Sequence, residues 1–227
     1  MIEKLLRFWE RIVWQWIKLR SLPKTLLVNF YYFPFSTAIK LPILIGYNVK
    51  INRLGSRNAI TLNEIRRSVI KFGIISGSFQ TEFRSGYWDI GENGTVTFSG
   101  DAVFAKGSCL IVDGNLHIGK HFYSNSNFLL NASSDIKIGD HCIAGWNVTL
   151  IDGDGHPTNR NDMVFSGIVI EDHVWLCSEA MILKNSYVAK DFIVGARACV
   201  SKKFQEPACL IAGVPAAIVR YNVSWNV

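Results

Sequence analysis

From Ile170 to Val200 an aliphatic residue recurs every six positions: Ile170, Leu176, Ile182, Val188, Val194 and Val200. Four places after each stands a mostly small or apolar residue: Val174, Ala180, Ser186, Phe192, Ala198 and Phe204. Six is a multiple of neither the helical nor the simple strand period, so an amphipathic helix and ordinary hairpin strands both fit poorly. A fixed hexapeptide period predicts a parallel β-helix, in which short strands form the sides of a coil and stacked coils share one core. The register is looser from about Ile43 to Ile90 and improves afterwards. IG[DEK][NH] quartets begin at Ile90, Ile118 and Ile138, and IEDH at Ile170 echoes them. Their small and Asp/Asn/His residues suit tight corners that need left-handed or self-bonding backbone. Between Leu150 and Ile170 the period fails, and IDGDGHPTNRNDMVFSGIV reads as a loop expelled from the coil.

The chain begins differently. Residues 2–20 predict a helix with Lys4, Arg7, Arg11, Gln15 and Lys18 on one face and Leu5, Trp9, Ile12, Trp16 and Leu19 opposite. Pro23 is expected to end it or lie just beyond its end. Three tryptophans with cations opposite resemble an interfacial membrane helix. The alternative is a helix packed on the β-helix end or on another subunit, since a β-helix needs a cap. The aromatic stretch 26–35 is expected to pack on that cap. The organisation that follows is an N-terminal helical, basic and aromatic segment at 1–42, a β-helix at 43–204 with an extruded loop at 151–169, and a C-terminal tail at 205–227.

The net charge of +6 sharpens this picture because it is uneven. Residues 1–71 carry 13 Lys/Arg against 3 Asp/Glu, a balance of +10, and residues 72–227 carry 11 against 15, a balance of −4. An anionic surface or substrate is expected to meet the first third. The five cysteines show no metal-ligand spacing and read as buried reduced thiols of a cytosolic protein. The first 16 residues lack the features of a secretory signal, and no uncharged apolar run is long enough to span a bilayer.

Of the five histidines, His141 and His173 occupy corner positions and read as structural, while His117 and His121 flank a coil start with no evident acidic partner. His156 stands in the one large excursion from the repeat. A satisfied surface residue is the ordinary reading of such a histidine, and general base is the functional one, because imidazole titrates near neutrality.

The stretches VTLIDGDGHPTNR, IVIEDHVWLCSEAMILKNSYVAKDFIVGARACVSK and AGVPAAIVR resemble the galactoside/maltose O-acetyltransferase branch of the left-handed β-helix acyltransferases. The resemblance is closer still to their relatives that O-acetylate bacterial surface polysaccharides. It covers residues 115–221 almost continuously and residues 1–90 only in outline. It implies an all-β chain: a left-handed parallel β-helix of hexapeptide repeats with an N-terminal helical segment, an extruded loop and a C-terminal tail. It further implies acetyl-CoA as cosubstrate, no metal, a homotrimer with shared sites and a saccharide acceptor. His156 matches the histidine that deprotonates the acceptor hydroxyl, and Asn125 the asparagine that holds that hydroxyl. Trp175 matches an acetyl-pocket tryptophan, and the Ser178 N–H would face the thioester oxygen. Ala196, Ser201, Lys202 and Arg220 match positions beside pantetheine and the nucleotide end of CoA. Alternatives stay open: Asn125 as a corner residue bonding its own backbone, Trp175 as a plug between subunits, Lys202 with Lys203 as a solvated pair. Asp154 either orients the imidazole or is a solvated loop aspartate. The sequence departs from the family pattern in a loop one residue longer before the histidine and in Cys177, where glycine is usual.

The expected function is therefore acetyl-CoA-dependent O-acetylation of a sugar hydroxyl of a surface polysaccharide or its precursor, by direct transfer. The location is cytoplasmic, with peripheral contact at the inner face of the membrane through residues 2–20 and no nucleic-acid partner. Its rivals are an amino-sugar N-acetyltransferase, a zinc lyase of the carbonic anhydrase kind using His117, His121 and His141, and a non-catalytic scaffold.

Overall fold

The computed structural model describes residues 2–76, 85–157, 159 and 164–226, without the side chains of residues 3–6. Residues 77–79 of the strand-rich reading, 158 and 160–163 of the loop, and the side chains of Lys4 and Leu5 lie outside the described residues. Among those described, the strands sort into three sheets that form the faces of a triangular prism. Face A runs from Ile43–Ile45 through Phe122–Ser124 and Trp175–Leu176 to Leu210–Ala212. Face B runs from Val49–Leu54 through Leu129–Ala132 and Thr149–Ile151 to Cys199–Val200, and face C from Ile60–Leu62 to Lys203–Phe204. The chain visits A, B and C in turn, and each strand pairs in parallel with the strand one coil away. The last strand, Ala217–Arg220, turns back antiparallel on Leu210–Ala212.

The period explains the packing. On face B, Leu110, Leu130, Leu150, Ile182 and Val200 are successive partners and point inward, each 0% exposed. The i+4 places Val174, Ala180, Phe192 and Ala198 fill the core at the corners, also 0% exposed. Corner residues take left-handed backbone, with φ of 61°, 57°, 62° and 59° at Asn127, Asn147, Glu179 and Arg197. In the earlier coils Phe72, Trp88, Phe104 and Phe122 fill the same core, with ring centroids 5.2–5.3 Å apart along the series. Large aromatics and longer corners dilute the six-residue text there. The strands Ile70–Phe72 and Gly86–Ile90 are separated by thirteen residues, of which 77–84 lie outside the described residues.

The first helix, α1, spans Ile2–Tyr32 and passes through Pro23 instead of ending near it. Its second half is held by the open edge of the first coil. Ser21, Thr25 and Asn29 are 0–1% exposed, and each accepts a backbone N–H of the strand Ile43–Ile45 or its continuation: Tyr47 at 3.1 Å, Ile45 at 3.1 Å and Ile43 at 3.0 Å. Asn29 also donates to the Ile43 carbonyl at 2.6 Å. Helix positions i, i+4 and i+8 rise about 6 Å per step, close to the roughly 6.6 Å between alternate strand residues, so the side chains match the edge. Tyr31 and Tyr32 donate to the Gly55 and Leu54 carbonyls of the first coil, so residues 26–32 are part of the capping helix itself and do not pack on it as a separate layer. These bonds offset the amide that Pro23 removes from the helix. A short helix, α2 (Phe35–Ala38), leads into the first strand.

Asn29→Ala leaves the buried Ile43 N–H and C=O unpaired and is expected to cost about 3 kcal/mol. For a chain of this size that lowers Tm by roughly 6–12 °C, measurable by thermal unfolding; a Tm within a degree of the parent would contradict the capping role.

Candidate active site

The extruded segment is anchored before it departs. Asp152 is 0% exposed, and its carboxylate accepts the N–H of Ser133 at 2.7 Å and of Ser134 at 2.9 Å in the preceding coil. The two ends of the excursion then meet in antiparallel fashion. Gly153 bridges Phe165, Asp154 N–H donates to Val164 O at 3.1 Å, and Ser166 N–H donates to Asp152 O at 3.0 Å. Asp154 ion-pairs with Lys184 of the next coil, which holds its carboxyl below the usual range; the carboxylate is engaged there and not with the imidazole. His156 is exposed beyond this base, at the corner between faces B and C.

The same corner, further along the stack, carries Ser201 and Lys202. A cleft of about 240 Å³ joins Ile151, Gly153, Asp154, Leu183, Lys184, Asn185 and Ser201. Beyond it a cleft of about 560 Å³ lies between Lys202, Lys203, Phe204, Glu206, Ile218 and Tyr221. Lys202 lies over the Phe204 ring, 5.2 Å from its centroid.

A second group lines the corner between faces A and B. Asn125, Gly145, Cys177 and Gly195 succeed one another coil by coil, and Ser178 and Ala196 follow in the same way. Asn125 Oδ1 accepts the Ser126 N–H at 2.9 Å, so it does bond its own backbone. Gly145 leaves room for the next coil: a Cβ there would stand 2.6 Å from both N and Oγ of Ser178. Trp175, two residues before Cys177, is 39% exposed on the outer side of face A. Arg220, at the end of the last strand and paired with Leu210, joins neither group.

The structure thus places the sequence-predicted residues on two corners of one prism, with face B between them. His156, Ser201 and Lys202 share one corner; Asn125, Ser178 and Ala196 share the other, with Trp175 beside them. Three neighbours carried no motif. Lys184 and Asn185 are visible only once coils are superposed. Trp225, in the tail, stacks on His173 with centroids 4.1 Å apart and lies 6.0 Å from Trp175.

The remaining histidines are engaged at the corner between C and A or on face C. His121 pairs with Asp101 at 2.8 Å, an acidic partner the sequence did not reveal, and His173 with Asp191 at 2.8 Å. His117 bonds Ser99 at 3.1 Å. Among the described residues no group of three or more His, Cys, Asp or Glu is placed to hold a metal ion.

No protein-family model matches the chain. The curated proteins it is similar to include O-acetyltransferases. The galactoside O-acetyltransferase of Escherichia coli (strain K12) is 32% identical over 111 residues, 47% of this chain and 54% of the relative. The polysialic acid O-acetyltransferase of Escherichia coli O1:K1 / APEC is 27% identical over 131 residues, 56% of this chain and 41% of the relative. The chain spans about half the length of the first curated relatives it matches. Among solved structures, the polySia-specific acetyltransferase NeuO superposes with a TM-score of 0.61 at 20% identity, over 82% of each chain. The fold is the left-handed hexapeptide-repeat β-helix, as the resemblance implied.

Burial raises the Cys177 thiol to about 11 and that of Cys142 to about 12, so neither is a thiolate at neutral pH. At pH 8 Ellman's reagent is expected to leave both unmodified in the folded protein; rapid labelling of Cys177 would contradict that environment.

Proposed function

We propose that this protein transfers an acetyl group from acetyl-CoA to a hydroxyl of a saccharide belonging to a surface polysaccharide or its precursor. The observation that carries the reading is His156, exposed on an anchored loop at the corner that also bears Ser201 and Lys202. His156 accepts the proton of the acceptor hydroxyl as the oxygen attacks the thioester carbonyl. The carbonyl becomes a tetrahedral oxyanion facing the Ser178 N–H, and collapse expels the CoA thiolate, which takes up a proton. Asn125 holds the hydroxyl, and Trp175 bounds the acetyl group. Lys202, with Ser201 and Ala196 along the way, suits the phosphates at the nucleotide end, and Arg220 adds a cation near the last coil. The high thiol pKa of Cys177 supports direct transfer over an acyl-cysteine.

Three copies assemble side by side and complete the site: the His156 corner of one faces the Asn125 corner of its neighbour. The outer faces support this assembly. Outward positions on face A include Val103, Tyr123, Ile143, Trp175 and Ile193, and on face B Leu129, Ile151, Met181 and Leu183. Face C instead turns Thr95, Asn115, Asp135 and Lys137 outward. Faces A and B are the richer in outward apolar residues, although A also turns out Lys71, B Asn131 and Thr149, and C Val169 and Tyr187; that bias suits a ring of prisms with face C to solvent. Residues 2–20 contact a membrane peripherally, at its cytoplasmic face.

His156→Ala is expected to lower kcat for acetyl transfer about 10²–10⁴-fold, with CoA binding unchanged by calorimetry. Full activity in this variant would end the reading.

A further inference from the structure

We infer that α1 and the turn after it form a docking surface for an anionic bilayer, with the coil stack standing upright on it. The helix has two opposed faces. Ser21, Thr25, Val28, Asn29 and Tyr32 are buried on the edge of the first coil. Trp9, Ile12, Trp16, Leu19, Leu26 and Phe30 lie about 100–180° around the wheel from Thr25 and are 39–60% exposed. Because the buried face meets the strand edge, the exposed face points along the stack axis, away from the prism. Phe35 and Ile39, 71% and 58% exposed, extend the apolar strip past the helix.

Charge and shape select the occupant. Arg20 borders the strip and Arg7, Arg11 and Lys18 lie on the other side of the wheel, all within a segment whose balance is +10. Tryptophan on one side and cations on the other suit the headgroup boundary, where indole is half wet and the basic segment is drawn to lipid phosphates. Self-association through the same strip is less suited to it. The seam would place Trp9, Trp16 and Pro23 where coiled coils pack Leu, Ile or Val. No described helix is long and apolar enough to cross a membrane, so the strip lies in the interface.

Upright docking has a consequence for the acceptor. Four coil spacings of about 4.8 Å plus a helix diameter of about 10 Å hold the His156 corner roughly 30 Å above the apolar strip. The hydroxyl taken there belongs to a glycan extending several sugars from its lipid anchor. That clause rests on the transferase reading; the docking itself does not.

Flotation of the full chain with phosphatidylcholine vesicles, with and without phosphatidylglycerol, tests the inference independently of activity. Binding is expected only with the anionic lipid and to fall at least tenfold in Trp9→Ser/Trp16→Ser. Hydrogen exchange on those vesicles is expected to gain protection within residues 2–39 alone. Equal binding of parent and variant overturns the docking surface. So does a parent that ignores both vesicles while the variant changes oligomeric state. Protection spread over the coil faces overturns the upright stance.

Discussion

Each coil of this protein must return its chain to the same three faces with alternate side chains of each strand aimed inward, because the parallel ladder leaves no other place for them. The inward column Leu110, Leu130, Leu150, Ile182 and Val200 is that constraint in its simplest form. Strand pairing fixes the spacing between coils, and the shared core fixes the register, since a one-residue slip would turn every inward residue out. Stabilisation is local to neighbouring coils, so an insertion at a corner is tolerated if the coil beneath is re-anchored. Asp152, buried and bonded to the Ser133 and Ser134 amides, does this for the His156 loop.

A ladder of this kind has an open edge at each end, and an unprotected strand edge invites pairing with another chain. At the start the edge is covered by side chains of a helix, with Ser21, Thr25 and Asn29 standing in for the next strand. At the end the antiparallel strand Ala217–Arg220 closes face A. The helix that caps the first edge is left with its apolar side exposed.

Much of this was legible because the later coils spell the constraint almost without deviation. Leu176, Ile182, Val188 and Val194 are each inward and buried where the period put them. The early coils were less legible because Phe72, Trp88 and Phe104 take the volume of several aliphatics and the corners between them vary in length. The helix ran past Pro23 because its cost is met by contacts with residues 43–47, which no local signal reveals. His156 was legible as an interruption. Its anchored base was not, because Asp154 and Lys184 are thirty positions apart and meet only through coil stacking.

The same stacking separates what the family motif brings together. Asn125 and His156 sit on corners that flank face B, and the prism cannot fold one corner onto the other without breaking the ladders of that face. The proposed function therefore depends on a second copy, for which the outward apolar residues of faces A and B are the proposed surface. The direct measurement mixes two inactive variants, His156→Ala and Asn125→Ala, unfolds and refolds them together, and assays acetyl transfer. Shared sites predict that activity absent from either variant alone returns in the mixture, from interfaces that pair an intact His156 with an intact Asn125. A mixture as inactive as its components, with oligomers re-formed, would contradict the account.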